Sequence, residues 1–359
     1  MTIKSKFEKL ASEKNTPCVS ISLNTHRTHP ENTQDIVALK NLLKEAEDRV
    51  IAEFGKRPVA ALLDNIAGIS TEIDVNYNLD SLHIFLSNDT KEVIKTACPV
   101  TENSIHIADS FAIRPLIQAQ NNSAEYLILL LSQSGVNLYH ALNDSIIAEI
   151  KNDDFPFPEN AHFLTAPDKA SDPKQVDNMV REFMNEVDKA IMKVYHEMGL
   201  NCIVICTEDN HSRLMQVADK PIVYAGHAAV DYNNIATHHL ARQGWEIIKT
   251  IQAQHNTDAI SEMHEAVAQG NVLTDLQEIF QASVDGRGDL LLVNQDFAQP
   301  VLMTSDRTFE MAADKNAAGA IDDITSNIAW EVLSKKGRVI FTEPGQLGDL
   351  GHVALKSRY

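Results

Sequence analysis

Cysteine is scarce in this chain, with four among 359 residues, at positions 18, 98, 202 and 206. They lie mostly inside apolar, strand-like runs, which argues against a disulfide framework. Cys202 and Cys206 alternate onto one strand face instead of forming a zinc knuckle. Long hydrophobic runs are missing too. The longest, Tyr126 to Leu131, is far too short to span a bilayer. The start, Met1 to Leu10, carries lysines but no apolar core of a signal peptide. Positive charge is the third shortage: 31 basic residues stand against 50 acidic ones, a formal net charge of -19. Affinity for nucleic acid without sequence preference comes from Lys and Arg neutralising phosphates. DNA is therefore not expected as a partner. Any contact with tRNA or rRNA needs a local patch or a protein intermediary. No Gly-x-Ser-x-Gly elbow and no Cys-His nucleophile pattern occurs either. The expectation is a cytoplasmic protein that does not touch membranes.

What is present suits a globular α/β protein. With 44% hydrophobic and 23% charged residues, the chain can bury cores without staples, and its length suits two or three domains. Three blocks emerge, at 1–122, 123–255 and 256–359. The first opens with a strand in Pro17–Leu23, a polar turn, and a helix carrying Ile36, Leu39, Leu43, Ala46, Val50 and Phe54 on one face. Strands follow near Leu82–Leu86, Glu92–Cys98 and Ser104–Ile107, and Ala119–Ser123 reads as a linker. The second block begins with two strands about a Ser-Gly turn, a hairpin signal. A polar, Pro-bearing stretch from Lys151 to Pro173 leads into a helix with Val176, Val180, Phe183, Val187, Ile191, Val194 and Met198 at helical steps. Asp172-Pro173 starts that helix and Gly199 ends it. Strands are expected at Cys202–Cys206 and Pro221–Tyr224. In the third block, helices around Ile260–Ala268 and Leu273–Ala282 precede a strand at Leu290–Val293. A loop spans Thr308 to Gly319, then come a helix with Ile321, Ile324, Ile328 and Val332, a strand at Arg338–Phe341 and a closing strand at His352–Leu355.

This order of blocks resembles the bacterial relatives of the archaeo-eukaryotic class-I release factors. The residues that carry the resemblance are Ser20-Ile-Ser-Leu-Asn-Thr-His-Arg-Thr28, Leu39-Lys-Asn-Leu-Leu-Lys-Glu-Ala-Glu47 and Phe111-Ala-Ile-Arg-Pro-Leu116. Leu290–Val293 and the closing Gly351-His-Val-Ala-Leu-Lys-Ser-Arg-Tyr359 also fit. The resemblance implies three domains: an N-terminal α/β domain, a ribonuclease-H-like middle domain and a small, ribosomal-protein-like α/β domain. It implies work in translation, on stalled or idle ribosomes, with a ribosome or ribosome-bound factor as partner and no cofactor. One departure stands out. The family's true release factors carry a Gly-Gly-Gln loop between the first hairpin of the middle domain and its long helix. Here that position is Lys151–Pro173, which contains no glycine. Glycines let backbone approach the peptidyl-tRNA ester and Gln orients the attacking water. Gln175 lies nearby but without such a backbone before it. Peptidyl-tRNA hydrolysis is therefore not expected.

Side chains with chemistry to offer fall into few groups, each with two readings. Thr25, His26, Arg27 and Thr28 sit between a strand and a helix, where Arg27 could clamp a phosphate or carboxylate, or simply brace the turn. Arg114 belongs to the resemblance and is a further ligand-binding candidate. His238 and His239 precede Arg242, but adjacent helical positions diverge by about 100°, which disfavours a shared metal. Asp285-Gly-Arg-Gly-Asp289 lacks the context of a P-loop and reads as a turn. Asp153, Asp154, Glu208 and Asp209 lie near strand ends. Asp154 and Asp209 are the carboxylates on which an alternative function, a metal-dependent hydrolase or nuclease, would rest. No metal site is otherwise indicated.

Overall fold

The computed structural model describes residues 3–132, 135–157, 173–229, 237–312, 320–321 and 323–359. The chain divides into two compact units, one formed by 1–122 with 256–359, the other by 123–255.

The first part of unit one contains α1 (Ile3–Ser12), β1 (Lys14–Asn24), α2 (Asn32–Phe54), α3 (Ala60–Glu72), β2 (Ser81–Leu86), β3 (Lys91–Thr96), β4 (Ser104–Ser110) and α4 (Arg114–Asn122). Its sheet runs β3-β2-β1-β4, antiparallel throughout. Alternation explains why β1 is buried on both sides. Val19, Ile21 and Leu23 pack under Leu39, Leu43, Ala46 and Val50 of α2, while Cys18 faces a second core with Phe85 and Phe111. Two sequence expectations shift here. Ile36 is 40% exposed, because Asn32 and Asp35 occupy the buried positions of the first helical turn. The supposed linker at Ala119–Ser123 is mostly helix, since Leu116, Ile117 and Ala119 bury a stripe of α4.

Unit two contains β5 (Glu125–Ser132), β6 (Gly135–Leu142), β7 (Ser145–Glu149), α5 (Pro173–Met198), β8 (Cys202–Ile205), α6 (Glu208–Val217), β9 (Tyr224–Ala228) and the first part of α7 (Thr237–Ala268). The sheet order is β7-β6-β5-β8-β9. β8 and β9 run parallel to β5, and β6 runs against its two neighbours. This is the ribonuclease-H-type sheet that the resemblance implied. Helices cover both faces, so the strands read as unbroken apolar runs. Leu127, Leu129, Leu131, Cys202 and Val204 meet Met184, Val187, Ile191 and Val194 of α5. Tyr126, Ile128, Ile203 and Ile205 meet Leu240 and Ile248 of α7. Gly226 permits that second contact, for a Cβ there would lie 2.4 Å from Ile247. The strand expected at Pro221–Tyr224 begins only at Tyr224. Before it, Pro221–Val223 form a 3-10 turn, consistent with a proline that has no N–H to give a ladder. Of the segment Lys151–Pro173, residues 158–172 lie outside the described residues, and with them the expected Asp172 cap.

The remainder of unit one contains β10 (Val272–Leu273), α8 (Leu276–Val284), β11 (Gly288–Asn294), β12 (Val301–Ser305), β13 (Thr308–Met311), β14 (Ala320–Ile321), α9 (Ile324–Ser334), β15 (Arg338–Thr342) and β16 (Val353–Ser357). A sheet ordered β10-β16-β11-β15 has α8 and α9 on one face, and a smaller sheet runs β13-β12-β14. On the other face Ala259 and Met263 of α7 pack with Leu290, Leu292 and Ala354. The region expected as a loop from Thr308 holds β13 instead, paired with β12 and anchored by buried Phe309. The chain turns at Asp285–Arg287, as expected, and enters β11 at Gly288: Gly286 has φ 74 and Arg287 N–H returns to the Ala282 carbonyl, closing α8. No described helix is long and apolar enough to cross a membrane.

Candidate functional site

The turn after β1 is tightly braced. Asp35 of α2 accepts from the backbone N–H of His26 at 2.7 Å and lies 2.8 Å from its ring Nδ1. Asp80 takes both arms of the Arg27 guanidinium, at 2.7 Å from Nε and 2.5 Å from Nη2, a bidentate pair. Thr25 donates its hydroxyl to the Leu79 carbonyl. Thr25, His26 and Arg27 are thus brought together and engage Leu79, Asp35 and Asp80, with the His26 side chain still about half exposed. Asn78 is buried beside them, and its side-chain amide has no hydrogen-bond partner among the described residues.

Arg114 lies in another place, at the start of α4. Its Nη1 donates to the Phe297 carbonyl, to Asp323 and to Thr325, and its Nη2 to the carbonyls of Asn294 and Gln295. The guanidinium also lies over the Phe341 ring at 5.4 Å. Every one of these partners belongs to the part of unit one after residue 256. Such a saturated fork fastens two parts of one unit.

Asp154 and Asp209, the carboxylates named from sequence, are each held by a cation. Asp154 is bound by Lys193 at 2.8 Å, while Asp209 is bound by Arg213 at 2.9 Å within α6. Neither belongs to a metal-binding group among the described residues. A different cluster gathers at the carboxyl ends of the parallel strands β8 and β9, where open α/β sheets hold their ligands. Glu208 and His211 lie three residues apart in the first turn of α6, and so on one face. His227 comes from β9. One ligand atom from each of the three lies within 4.8 Å of the others. The two imidazoles stack at 4.1 Å with an interplanar angle of 9°. Burial, then the neighbouring His227, lowers the pKa of His211. Cys206 is close by, but burial pushes its thiol up to about 12 and keeps it protonated. Sequence reading named Glu208 and passed over the histidines, because only the β8–β9 pairing carries His227 to α6. His238 and His239 touch, with ring centroids 4.2 Å apart, but no third ligand joins them among the described residues.

Residues 125–287 match the family model described as "Bacterial archaeo-eukaryotic release factor family 3". No curated protein shows a significant match to the chain. Among solved structures, archaeal Pelota from a model of its ribosome-bound complex with ABCE1 is 12% identical, with 100% of this chain and 94% of that one covered and a TM-score of 0.42. Pelota of Archaeoglobus fulgidus is also 12% identical, over 77% and 79% of the two chains, at a TM-score of 0.35. The archaeal translation termination factor aRF1 is 13% identical over 99% and 97%, at 0.26. At such identities and scores no residue role passes from those proteins to this chain. Over residues 125–287 the chain is thus similar to the bacterial relatives of the archaeo-eukaryotic release factors, the family its sequence resembles.

Proposed function

We propose that this chain is a release-factor-like protein of translation, acting on stalled or idle ribosomes without hydrolysing peptidyl-tRNA. The observation that carries the proposal is the family match at 125–287 over a ribonuclease-H-type sheet whose loop segment, Lys151–Pro173, has no glycine. A backbone with a Cβ at every position cannot approach the ester as glycine can. Binding without hydrolysis is what remains. On this reading 1–122, 123–255 and 256–359 act as three domains, and the partner is a ribosome or ribosome-bound factor in the cytoplasm. A net charge of -19 gives no general attraction to RNA, so any tRNA or rRNA contact is local.

Two measurements test this. Tagged protein in sucrose gradients is expected to sediment with subunits or ribosomes in stressed cells. Sedimentation only at the top of the gradient, in growing and stressed cells alike, overturns ribosome association. Incubation with ribosome-bound peptidyl-tRNA is expected to liberate no peptide, and release above background overturns the non-hydrolytic part.

A further inference from the structure

We propose that Glu208, His211 and His227 form a binding site for a divalent transition metal of the zinc, cobalt or nickel class. The site is independent of the ribosome reading. It also differs from the Asp154–Asp209 nuclease idea in its residues and in its ligand chemistry.

The geometry of His227 carries most of the argument. Its Nε2 lies 2.8 Å from the Cys206 carbonyl oxygen. A carbonyl oxygen only accepts, so this nitrogen bears the proton, and in the neutral ring Nδ1 carries the lone pair. Nδ1 is the atom turned to Glu208, 3.9 Å from the carboxylate. A histidine that donates one N–H to a backbone carbonyl and offers the other nitrogen to the cluster is the orientation that metal-ligating imidazoles adopt. The ring is held before any metal arrives, since its side chain is only 12% exposed.

Glu208 and His211 supply the adjustable side of the site. Tetrahedral coordination with bonds near 2 Å brings ligand atoms to about 3.3 Å from one another. The present separations, within 4.8 Å, close to that by rotations of side chains on the first turn of α6. Glu208 is 80% exposed and can turn freely. Two imidazole nitrogens and one carboxylate favour a transition ion over Mg²⁺ or Ca²⁺, which prefer oxygen donors. Three protein ligands leave a position for water. The ion would pin the start of α6 to the end of β9.

The test uses the full chain stripped of metal by a chelator and titrated with Co²⁺, whose visible d–d absorption reports coordination. One equivalent is expected to bind, and the Glu208→Gln and His211→Ala variants should each bind about tenfold or more weakly. His227→Gln should behave likewise. If that buried variant does not fold, by circular dichroism, the Glu208→Gln/His211→Ala double variant carries the test. A His238→Ala/His239→Ala double variant serves as the control and should keep wild-type affinity. The proposal fails if the wild-type chain binds no stoichiometric Co²⁺, or if the Glu208→Gln/His211→Ala variant binds it as tightly as wild type.

Discussion

Arg114 donates to the carboxylate of Asp323 at 2.6 Å across 209 residues of sequence. Both side chains are only 12% exposed. Asp323 is at the same time the N-cap of α9, accepting from the Thr325 N–H at 3.0 Å. One carboxylate thus starts a helix and receives an arginine from the other end of the chain. Removing one member of a buried pair leaves the other charge uncompensated, at a cost of about 3–5 kcal/mol. Arg114→Ala is expected to lower the unfolding free energy of unit one, measured by urea denaturation, by that order. Arg114→Lys should rescue little of it, because an ammonium cannot reproduce five bonds made by a planar fork. A lysine variant with wild-type stability would contradict this account.

His83 leads to a pH dependence. The ring is fully buried in β2, with one nitrogen 3.0 Å from the Ser22 hydroxyl and the other 3.0 Å from that of Ser81. Burial lowers its pKa from 6.5 to about 4. The folded protein therefore resists a proton that the unfolded chain accepts. The stability contribution is complete above pH 6.5 and is lost as pH falls toward 4. At the lower limit the loss amounts to about 3 kcal/mol. A His83→Gln variant should show a shallower fall in its unfolding midpoint between pH 7 and 4.5 than the wild-type chain. Parallel curves would remove His83 as the cause.

Much of the fold was legible because burial on both faces writes itself into sequence. β5 and β8 alternate between partners on α5 and α7, so Tyr126–Leu131 and Cys202–Ile205 are apolar runs, and the hairpin and the long helix α5 announce themselves by spacing. The failures share a physical origin. Ala119–Asn122 looks like a linker because its polar residues face out, while the stripe that makes it a helix is set earlier, by Leu116 and Ile117. The role of Arg114 is hidden by the separation from Asp323. His211 and His227 stand 16 residues apart, with a turn between α6 and β9, and only the parallel pairing of β8 with β9 brings them together.

Glu262 of α7 gives a second titration in the acid range. Its carboxylate accepts from Arg338 of β15 at 2.6 Å and from Lys356 of β16 at 2.7 Å. The hydrogen bond from Arg338, with that from Lys356, holds its pKa down at about 2. A depressed carboxylate contributes stability above its unfolded value of 4.5, and that contribution disappears as pH falls through 2. The side chain is 30% exposed, so solvent screening limits the effect to about 1 kcal/mol. Glu262→Gln should reduce the melting temperature at pH 7, and the gap from wild type should close by pH 2. Raising the salt concentration should narrow the gap at pH 7. A gap that is unchanged from pH 7 to pH 2 would point to packing, not charge.

Tyr224 and Asp188 make the corresponding contact in unit two. Asp188 on α5 is fully buried, with one carboxyl oxygen 2.6 Å from the Tyr224 hydroxyl and the other accepting from the Asp219 N–H at 3.0 Å. Burial, then the hydrogen bond to Asp188, raises the Tyr224 pKa, so the phenol remains the donor at any ordinary pH. This joins α5 to the first residue of β9 and to the turn that precedes it. Tyr224→Phe keeps the ring and its packing but removes one donor from a buried acid, which should cost about 2 kcal/mol. Adding Asp188→Asn to that variant should not cost a further full increment, since the two residues share one interaction. A double-mutant cycle by urea unfolding measures the coupling, and strict additivity would show that the hydroxyl and the carboxyl group stabilise unit two independently.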